Sequence, residues 1–463
     1  MLTISLFVIL LCLTLFQKGM FLDGIMYASI SRNLSLGIGE FWTPHYTATL
    51  APEFFGHPPL AFWLQSMLFS VFGDHFWVEK MYSFLMAMLT AYAIMLLWYR
   101  SNHNSILRKM AWLPLLIWIS IPICFWSYTN NLLENTMTAF LVLAVFWILK
   151  YMDSGRIKWA MFATTALLAA FLTKGPIALF PLAIPLLYHI SHSSKTDVVV
   201  SLRQMVSLVC LLVLLLVLLL QFPAARNNLS EYWEIQVFPA ISSELGESLF
   251  SRTSILYLLL LELSVPLGLL VVLFATRVLR KRDINNDAVF YLLLGLCASV
   301  PLMISLKQSR FYLVPSMPFF ALGFSLIFRH KLASLLQNIT DKLQHVLRGL
   351  SLFALVAIFL LMIIRSGSYS RDASLIQDVT AMSSMLSDGT TIGSTDNFCT
   401  NWLLTAYMNR IGQLSIACDE NHDFVLVTKD NFLDSENFRL VDISLHSYDL
   451  YEKLNKPPVS NSE

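Results

Sequence analysis

Charged residues are scarce in this chain. Only 13% of its 463 residues are Asp, Glu, Lys or Arg, and 56% are hydrophobic. An ordinary soluble domain has about 25% charged residues. The 31 basic and 30 acidic residues leave a net charge of +1. This charge is too small to produce the positive field that nucleic acid binding requires. The composition predicts a polytopic membrane protein without a nucleic acid partner.

Cysteine motifs are also missing. The six cysteines show no CxxC or Cys/His spacing, which argues against a zinc or dithiol site. Four lie in apolar runs, where a thiol behaves as a small hydrophobic group: Cys12, Cys124, Cys210 and Cys297. Cys399 and Cys418 lie in a polar region and can pair if that region faces an oxidising compartment. The first apolar run lacks a basic leader and a small-residue cleavage site, so we expect a retained anchor.

Long apolar runs account for most of the chain. A bilayer is spanned by an apolar helix of about 20 residues. Twelve runs occur, near residues 2–17, 58–72, 78–99, 110–127, 133–149, 158–173, 176–190, 204–222, 254–276, 288–305, 311–328 and 349–365. The run at 58–72 is short and begins with two prolines, so it suits a helix at the membrane surface. The pattern predicts a polytopic α-helical protein with about eleven spans.

Loop charges indicate the orientation, because Lys and Arg accumulate in short cytoplasmic loops. With eleven spans, the basic loops all fall on one side: 100–109, 150–157, 191–203, 277–287 and 329–348. This side is predicted to be the cytoplasm, with the N-terminus inside and the C-terminus outside. Lys174, Lys307 and Arg310 fall outside against this rule, which favours a functional role for them.

The last hundred residues change to a polar sequence with short apolar runs. Periodicity predicts helices at 371–386 and 397–410 and strands at 391–394, 414–417 and 424–428. Such alternation is typical of a small α/β domain. We therefore expect a membrane domain over 1–365, which includes an outward-facing loop at 18–77, and an extracytoplasmic α/β domain over 366–463, with a frayed end from residue 455.

The loop at 18–77 carries the first candidate site. Asp23 follows the first run, and Tyr27 and Arg32 come after it at helical spacing. A carboxylate at the membrane interface can accept a proton from an incoming hydroxyl or amine. The alternative is a solvated helix flank. The polar and aromatic residues that follow favour the catalytic base.

Basic residues between later spans form a second candidate site. Lys174 lies in a Lys-Gly-Pro turn and either snorkels to the interface or meets a phosphate. Lys307, Arg310 and Tyr312 lie together at another span end, where two cations and a phenol can hold a phosphate. Basic pairs at span ends are also common without any function.

Acidic residues next to or within spans leave their roles open. Glu134 is either a second acidic group for a divalent cation, such as Mg or Mn, or a carboxylate stabilised by its helix N-terminus. Glu262 lies inside an apolar run, where a charge is a site candidate, although a satisfied structural glutamate fits equally well. The loop at 223–253 either covers the site or binds the acceptor.

Taken in this order, these motifs resemble the membrane-embedded glycosyltransferases of the GT-C fold. The branch with protein O-mannosyltransferases and lipid A aminoarabinose transferases is similar in three segments. These are Asp23, Tyr27 and Arg32, the PPLAFWL segment at 58–64 and the LTKGP turn at 172–176. The segment at 307–315 looks like the family's basic, Tyr and Pro segment. The resemblance covers roughly residues 1–330.

The resemblance implies a sugar donor linked to polyprenyl phosphate, used on the outer face with inversion at the anomeric carbon. By the resemblance, Asp23 is the base that activates the acceptor. Tyr27 and Arg32 position the loop or the donor. The donor phosphate is assigned to Lys174, Lys307, Arg310, Tyr312 and His57. His57 stands where the aminoarabinose branch has a lysine, and Glu134 stands for the second acidic position.

Two other functions compete with a transferase. A transporter or flippase of lipid-linked sugars also has many spans. Transporters tend to show internal repeats and broken helices near the midplane, and the sequence indicates neither, while its unusual polar residues gather at one face. The second alternative is a non-catalytic scaffold in envelope assembly, in which the outward-facing basic residues have no binding role. The transferase is preferred, with a lipid, glycan or protein acceptor. We expect it in the bacterial inner membrane, among membrane lipids.

Overall fold

A computed structural model describes residues 1–193, 197–242, 252–305 and 308–454. Lys307 and the end of the chain from residue 455 lie outside the described residues. The helices are α1 Leu2–Cys12, α2 Leu22–Ser35, α3 Leu60–Phe72, α4 Val78–Ser101, α5 Ser105–Arg108, α6 Trp112–Ser120, α7 Pro122–Thr129, α8 Leu133–Ser154, α9 Ile157–Lys174, α10 Ile184–Ser191, α11 Val198–Leu219, α12 Pro223–Tyr232, α13 Phe238–Ser242, α14 Ser254–Glu262, α15 Ser264–Ala275, α16 Asn286–Ser299, α17 Met317–Gln337, α18 Asp341–Ile364, α19 Ala373–Met385 and α20 Trp402–Gly412.

Short 3-10 helices connect several of these elements. Three of them directly adjoin an apolar helix, at Gly175–Ala183, Val300–Ile304 and Arg310–Ser316. Each contains a proline, which removes a backbone donor and interferes with regular α-helix. The segment before Phe238 is a π-helix, Trp233–Val237. These irregular segments include several of the residues that the sequence singles out.

Seven helical segments in the described part of the chain are long and apolar enough to cross a membrane, or up to nine if each bent pair is one span. The pairs bend by 77° between α6 and α7 and by 65° between α14 and α15. The expectation that the chain has no broken helices is therefore wrong, because each bend lies inside a single apolar run of the sequence. The eleven spans expected from the sequence exceed these nine by two apolar runs. The run at 2–17 forms a helix of only 11 residues, and the run at 176–190 continues from α9 within one segment, Ile157–Ser191. The surface run forms α3, with 13 residues.

The chain divides into two compact units, and the first is the larger. It comprises Met1–Phe16, Phe55–Ala61 and Lys80–Ser366. Helices α8 and α9 pack together, as do α16 and α17. The second pair packs closely because Gly295 lies against Phe320 and Gly323 lies against Leu292. Small residues of this kind allow membrane helices to approach each other.

The second unit comprises Gln17–Phe54, Phe62–Glu79 and the residues from Gly367 onward. Its sheet has the strands β1 Thr391–Ser394, β2 Ser415–Ile416, β3 Phe424–Thr428, β4 Phe438–Leu440 and β5 Tyr448–Lys453. The strand order is β2-β1-β3-β5-β4. Strand β1 is parallel to β2 and β3, and β5 is antiparallel to β3 and β4. The small α/β fold is therefore confirmed.

Helices α2, α19 and α20 form one hydrophobic core with this sheet. Ile25 and Ala28 of α2 are buried in the same cluster as Leu404 and Met408 of α20. Cys399 and Cys418 form a disulfide with their Cα atoms 5.4 Å apart. One boundary between the units follows Ser366, one residue after the expected division, while most of the loop at 18–77 clusters with the tail.

Candidate active site

Lys174 is the last residue of α9, and the residue that follows it determines the local backbone. Gly175 has φ 77 and ψ −150, a conformation that is essentially restricted to glycine. A Cβ at position 175 would collide with the ring of Tyr232. The Tyr232 hydroxyl donates a hydrogen bond of 3.2 Å to the carbonyl oxygen of Lys174. Burial raises the pKa of Tyr232 above its ordinary value.

The Lys174 side chain is largely buried and lies among acidic and aromatic groups. Its Nζ forms an ion pair with Oε1 of Glu134, whose side chain is almost completely buried. Nζ also lies 4.6 Å from the ring centroid of Tyr312 and 5.5 Å from that of Phe311. A buried cation needs such partners because desolvation is costly. The two candidates Lys174 and Glu134 are thus direct neighbours.

A cavity of about 180 Å³ contains the Lys174 side chain in its wall. Its polar lining includes His57, Tyr232, Tyr312 and Ser305. Its apolar lining includes Val237, Ala240, Ile241 and Leu302. The structure therefore brings together three of the residues that were assigned to the donor phosphate, His57, Lys174 and Tyr312. One cation, several hydrogen-bonding side chains and an apolar wall can receive a phosphate group with the start of a lipid chain.

Arg310 lines a different cavity, of about 460 Å³. Its Nε donates to Oε1 of Glu262, whose carboxylate is buried. The second oxygen of Glu262 accepts a 3.0 Å hydrogen bond from the backbone N–H of Ile123. Of the two readings that the sequence left open for Glu262, the satisfied structural glutamate fits these contacts. Lys307 lies outside the described residues.

Asp23, Tyr27 and Arg32 lie on α2, in the second unit. Asp23 is half-buried in the first turn of that helix, where a carboxylate interacts favourably with the helix dipole. Tyr27 is buried, with its ring centroid 5.7 Å from that of Phe62. The catalytic role of Asp23 stays a prediction.

Arg32 is buried in a network of charged and polar groups within the second unit. Its Nη1 contacts Asp74 at 3.3 Å, and its Nη2 donates to the carbonyl oxygen of Asn409 at 2.5 Å. Burial, and then the nearby Arg410, lower the pKa of Arg32 to about 10, and Asp74 opposes this shift. Arg32 thus joins α2 to the end of α20, which fits a positioning role for it.

Arg410 completes this network. It contacts Asp74 at 2.5 Å and Glu79 at 3.0 Å. Burial by itself would lower the pKa of Arg410, but Glu79 and Asp74 together raise it. Sequence analysis did not single out this group, because Arg410 lies in an amphipathic helix where a cation is expected on the exposed face. Tyr232 was only one of several polar residues in the loop at 223–253.

Divalent cation binding at Glu134 stays a prediction. Among residues 1–193, 197–242, 252–305 and 308–454, no group of three or more His, Cys, Asp or Glu side chains is arranged to hold a metal ion. Glu134 instead contacts Lys174, a cation that occupies part of its coordination space.

The fold is that of the GT-C membrane glycosyltransferases, and the chain is an integral membrane protein. The crystal structure of ArnT from Cupriavidus metallidurans bound to undecaprenyl phosphate matches with a TM-score of 0.65 and 15% sequence identity, over 98% of this chain and 97% of that one. The apo form of ArnT matches with a TM-score of 0.65 and 14% identity, over 96% of each chain. The predicted fold class and the resemblance to this fold are confirmed.

Sequence comparison reaches a smaller part of the chain. Residues 56–220 match the family model of dolichyl-phosphate-mannose-protein mannosyltransferases. An uncharacterized protein of Aquifex aeolicus (strain VF5) is 30% identical over 157 residues. That alignment spans 33% of this chain and 34% of the curated relative. The family model includes His57, Glu134 and Lys174, three of the residues singled out from the sequence.

Proposed function

We propose that this protein is a glycosyltransferase that moves a sugar from a polyprenyl-phosphate donor to a lipid, glycan or protein acceptor. The observation that carries the proposal is the cavity in which Lys174, His57, Tyr312 and Tyr232 converge. The similarity in fold to ArnT, whose crystal structure holds undecaprenyl phosphate, supports a lipid phosphate as the ligand. The reaction takes place on the extracytoplasmic face of the bacterial inner membrane, with the N-terminus in the cytoplasm.

Lys174 stabilises the departing phosphate in this mechanism. Negative charge develops on the donor phosphate as its bond to the sugar breaks, and a preorganised cation lowers the energy of that transition state. Glu134 holds Lys174 in place, and Tyr232 holds the turn that follows it. His57 and Tyr312 supply further hydrogen-bonding groups in the same wall. Arg310 is proposed to bind phosphate as well, in its own cavity.

Asp23 acts as the general base. The acceptor hydroxyl or amine attacks the anomeric carbon, Asp23 takes its proton, and the bond between that carbon and the phosphate oxygen breaks. Polyprenyl phosphate leaves and the configuration inverts. Arg32 and Tyr27 position the helix that carries Asp23.

Transfer or slow hydrolysis of a radiolabelled polyprenyl-phosphate sugar by the purified full-length protein tests this function. Asp23→Asn should abolish turnover and leave donor binding largely intact, since it removes the base and keeps the side-chain shape. Lys174→Met should weaken donor binding by tenfold or more, because a charge-assisted contact contributes about 1.5–3 kcal/mol. Lys158→Met is the matched control, because Lys158 is exposed and lies at the other end of α9.

Two outcomes would contradict the proposal. Unchanged turnover in Asp23→Asn would remove the catalytic role of that carboxylate. Movement of the intact donor across liposome membranes, with no bond cleavage by the wild-type protein, would favour the transporter.

A further inference from the structure

Glu262 is a buried carboxylate with two different partners. It ends the apolar helix α14, and its side chain is 0% exposed. A carboxylate taken out of water is costly unless both oxygens are satisfied. Here one oxygen pairs with Nε of Arg310, and the other accepts from the N–H of Ile123. The two contacts involve residues from two other segments of the first unit.

The contact with Ile123 lies at a break in the membrane helices. Helices α6 and α7 bend by 77° at this point. Pro122 begins α7 and has no N–H, so the N–H of Ile123 is the first backbone donor of that helix. Glu262 satisfies this donor and holds Arg310 with the same carboxylate. It therefore fixes the bend and the guanidinium relative to each other.

Arg310 keeps hydrogen-bonding capacity on the other side of its guanidinium. The group has five N–H donors, and the bond to Glu262 uses the one on Nε. The side chain is 45% exposed. Its cavity of about 460 Å³ has an otherwise mostly apolar lining, formed by Pro122, Ile123, Phe125, Trp126, Ser309 and Phe311. A charged donor in an apolar cavity suits an anionic group that carries an apolar chain.

Two consecutive aromatic residues line different cavities. Phe311 lines the cavity of Arg310, and Tyr312 lines the cavity of Lys174. Their rings are perpendicular, with centroids 5.0 Å apart, and Phe311 also stacks on Trp126. Each cation has its own buried carboxylate, Glu134 or Glu262. The geometry thus provides two separate cationic positions.

We infer that Glu262 is a positioning residue that holds Arg310 as a second phosphate-binding group, in a cavity distinct from that of Lys174. The ligand class is a phosphate on an apolar chain. This choice of ligand rests on the proposed function. The number of binding positions rests only on the two cavities and their two cations.

Binding stoichiometry tests this inference without any turnover. Native mass spectrometry of the full-length protein with dodecyl phosphate should show two bound molecules for the wild type and one each for Arg310→Gln and Lys174→Met. Glu262→Gln should weaken the second binding event about tenfold. Arg108→Gln, an exposed arginine elsewhere in the chain, should retain both molecules. Inorganic phosphate in a parallel titration distinguishes a headgroup site from one that needs the chain.

A double variant separates positioning from general structural support. If Glu262 acts through Arg310, the variant Glu262→Gln/Arg310→Gln should bind dodecyl phosphate as Arg310→Gln does, and Glu262→Asp should restore part of the affinity. Weaker binding in the double variant than in Arg310→Gln would overturn the positioning role. If Glu262→Gln does not fold, Arg310→Gln alone decides the number of sites.

The outcomes also distinguish this inference from the proposed function. One bound molecule in the wild type, together with sugar transfer, would overturn the inference and leave the transferase standing. Two bound molecules without any transfer or hydrolysis would support the inference and remove the transferase.

Discussion

In the described part of the chain, two arginines and one lysine each contact a glutamate whose carboxylate is almost fully buried. Lys174 contacts Glu134, Arg310 contacts Glu262, and Arg410 contacts Glu79. Removing one partner of a buried pair leaves an uncompensated charge, which costs about 3–5 kcal/mol. These carboxylates are therefore needed for stability even where the cation has a binding role.

The pair in the second unit provides a direct test at the residue scale. Glu79→Gln should lower the free energy of unfolding by about 3 kcal/mol, because Arg410 is buried and keeps only part of its compensation from Asp74. The loss should appear as a lower Tm of the full-length protein in nanodiscs.

Glu452→Gln is the matched control for this measurement. Glu452 pairs with Arg439, but the two side chains are 39% and 69% exposed. An exposed pair contributes less than about 1 kcal/mol, so this variant should melt close to the wild type. If both variants lost the same amount in Tm, burial would not be the reason why the contact between Glu79 and Arg410 stabilises the fold.

Candidate residues could be selected from the sequence, but their partners could not. Lys174 and Glu134 were both selected, the first for a phosphate and the second for a metal or a helix N-terminus. Their ion pair depends on how α8 packs against α9. Tyr232 was missed as a site residue because its contact is to a backbone carbonyl, which no side-chain motif encodes.

Breaks in the helices place the candidate side chains of the first unit. The end of α9 at Lys174 and the bend after α6 both precede a proline, at Pro176 and Pro122. Proline cannot donate to the helix, and glycine allows the backbone to turn. The sequence indicated the first of these breaks through its Lys-Gly-Pro turn. The bend after α6 lies inside an apolar run that reads as one continuous span.

The break after α9 leads to a prediction at the element scale. Gly175→Ala should lower Tm and weaken donor binding, because the new Cβ meets the Tyr232 ring and the backbone has a positive φ. A side chain in this sparsely populated backbone region costs about 1–3 kcal/mol, and overpacking adds about 1–3 kcal/mol. Thermal unfolding and donor titration of the full-length protein measure the two effects.

Gly155→Ala controls for the effect of a positive φ, in the left-handed region (ψ 1) and without a close contact. Gly155 also has a positive φ, of 66, but nothing lies within 4 Å of the Cβ position. This variant should lose only the smaller, conformational part of the stability. A Gly155→Ala loss as large as that of Gly175→Ala would show that the contact with Tyr232 is unimportant.

At the scale of the whole molecule, the chain passes between its two units more than once. The segments Gln17–Phe54 and Phe62–Glu79 belong with the tail, whereas Phe55–Ala61 belongs with the first unit. The loop that carries Asp23 therefore shares a hydrophobic core with a domain that begins more than 300 residues later. We expect these loop segments to require the tail for folding.

Cysteine labelling tests the orientation of the whole chain. In a background without the four free cysteines, Glu53→Cys and Asp430→Cys should react with an impermeant maleimide from outside, since both positions are exposed and in the second unit. His103→Cys, in a loop predicted to be cytoplasmic, should react only after the membrane is permeabilised. Labelling of His103→Cys in intact cells would contradict the predicted orientation.

The sequence by itself determined the membrane class, the break at the Lys-Gly-Pro turn and the α/β character of the tail. These features follow from local composition and periodicity, which act over a few turns of chain. Only the tertiary structure decided which cation pairs with which carboxylate, since the partners lie 40, 48 and 331 positions apart. It also decided that Lys174 and Arg310 line different cavities. Periodicity specifies the buried face of a helix, but packing between helices selects the neighbour that each polar group on that face will meet.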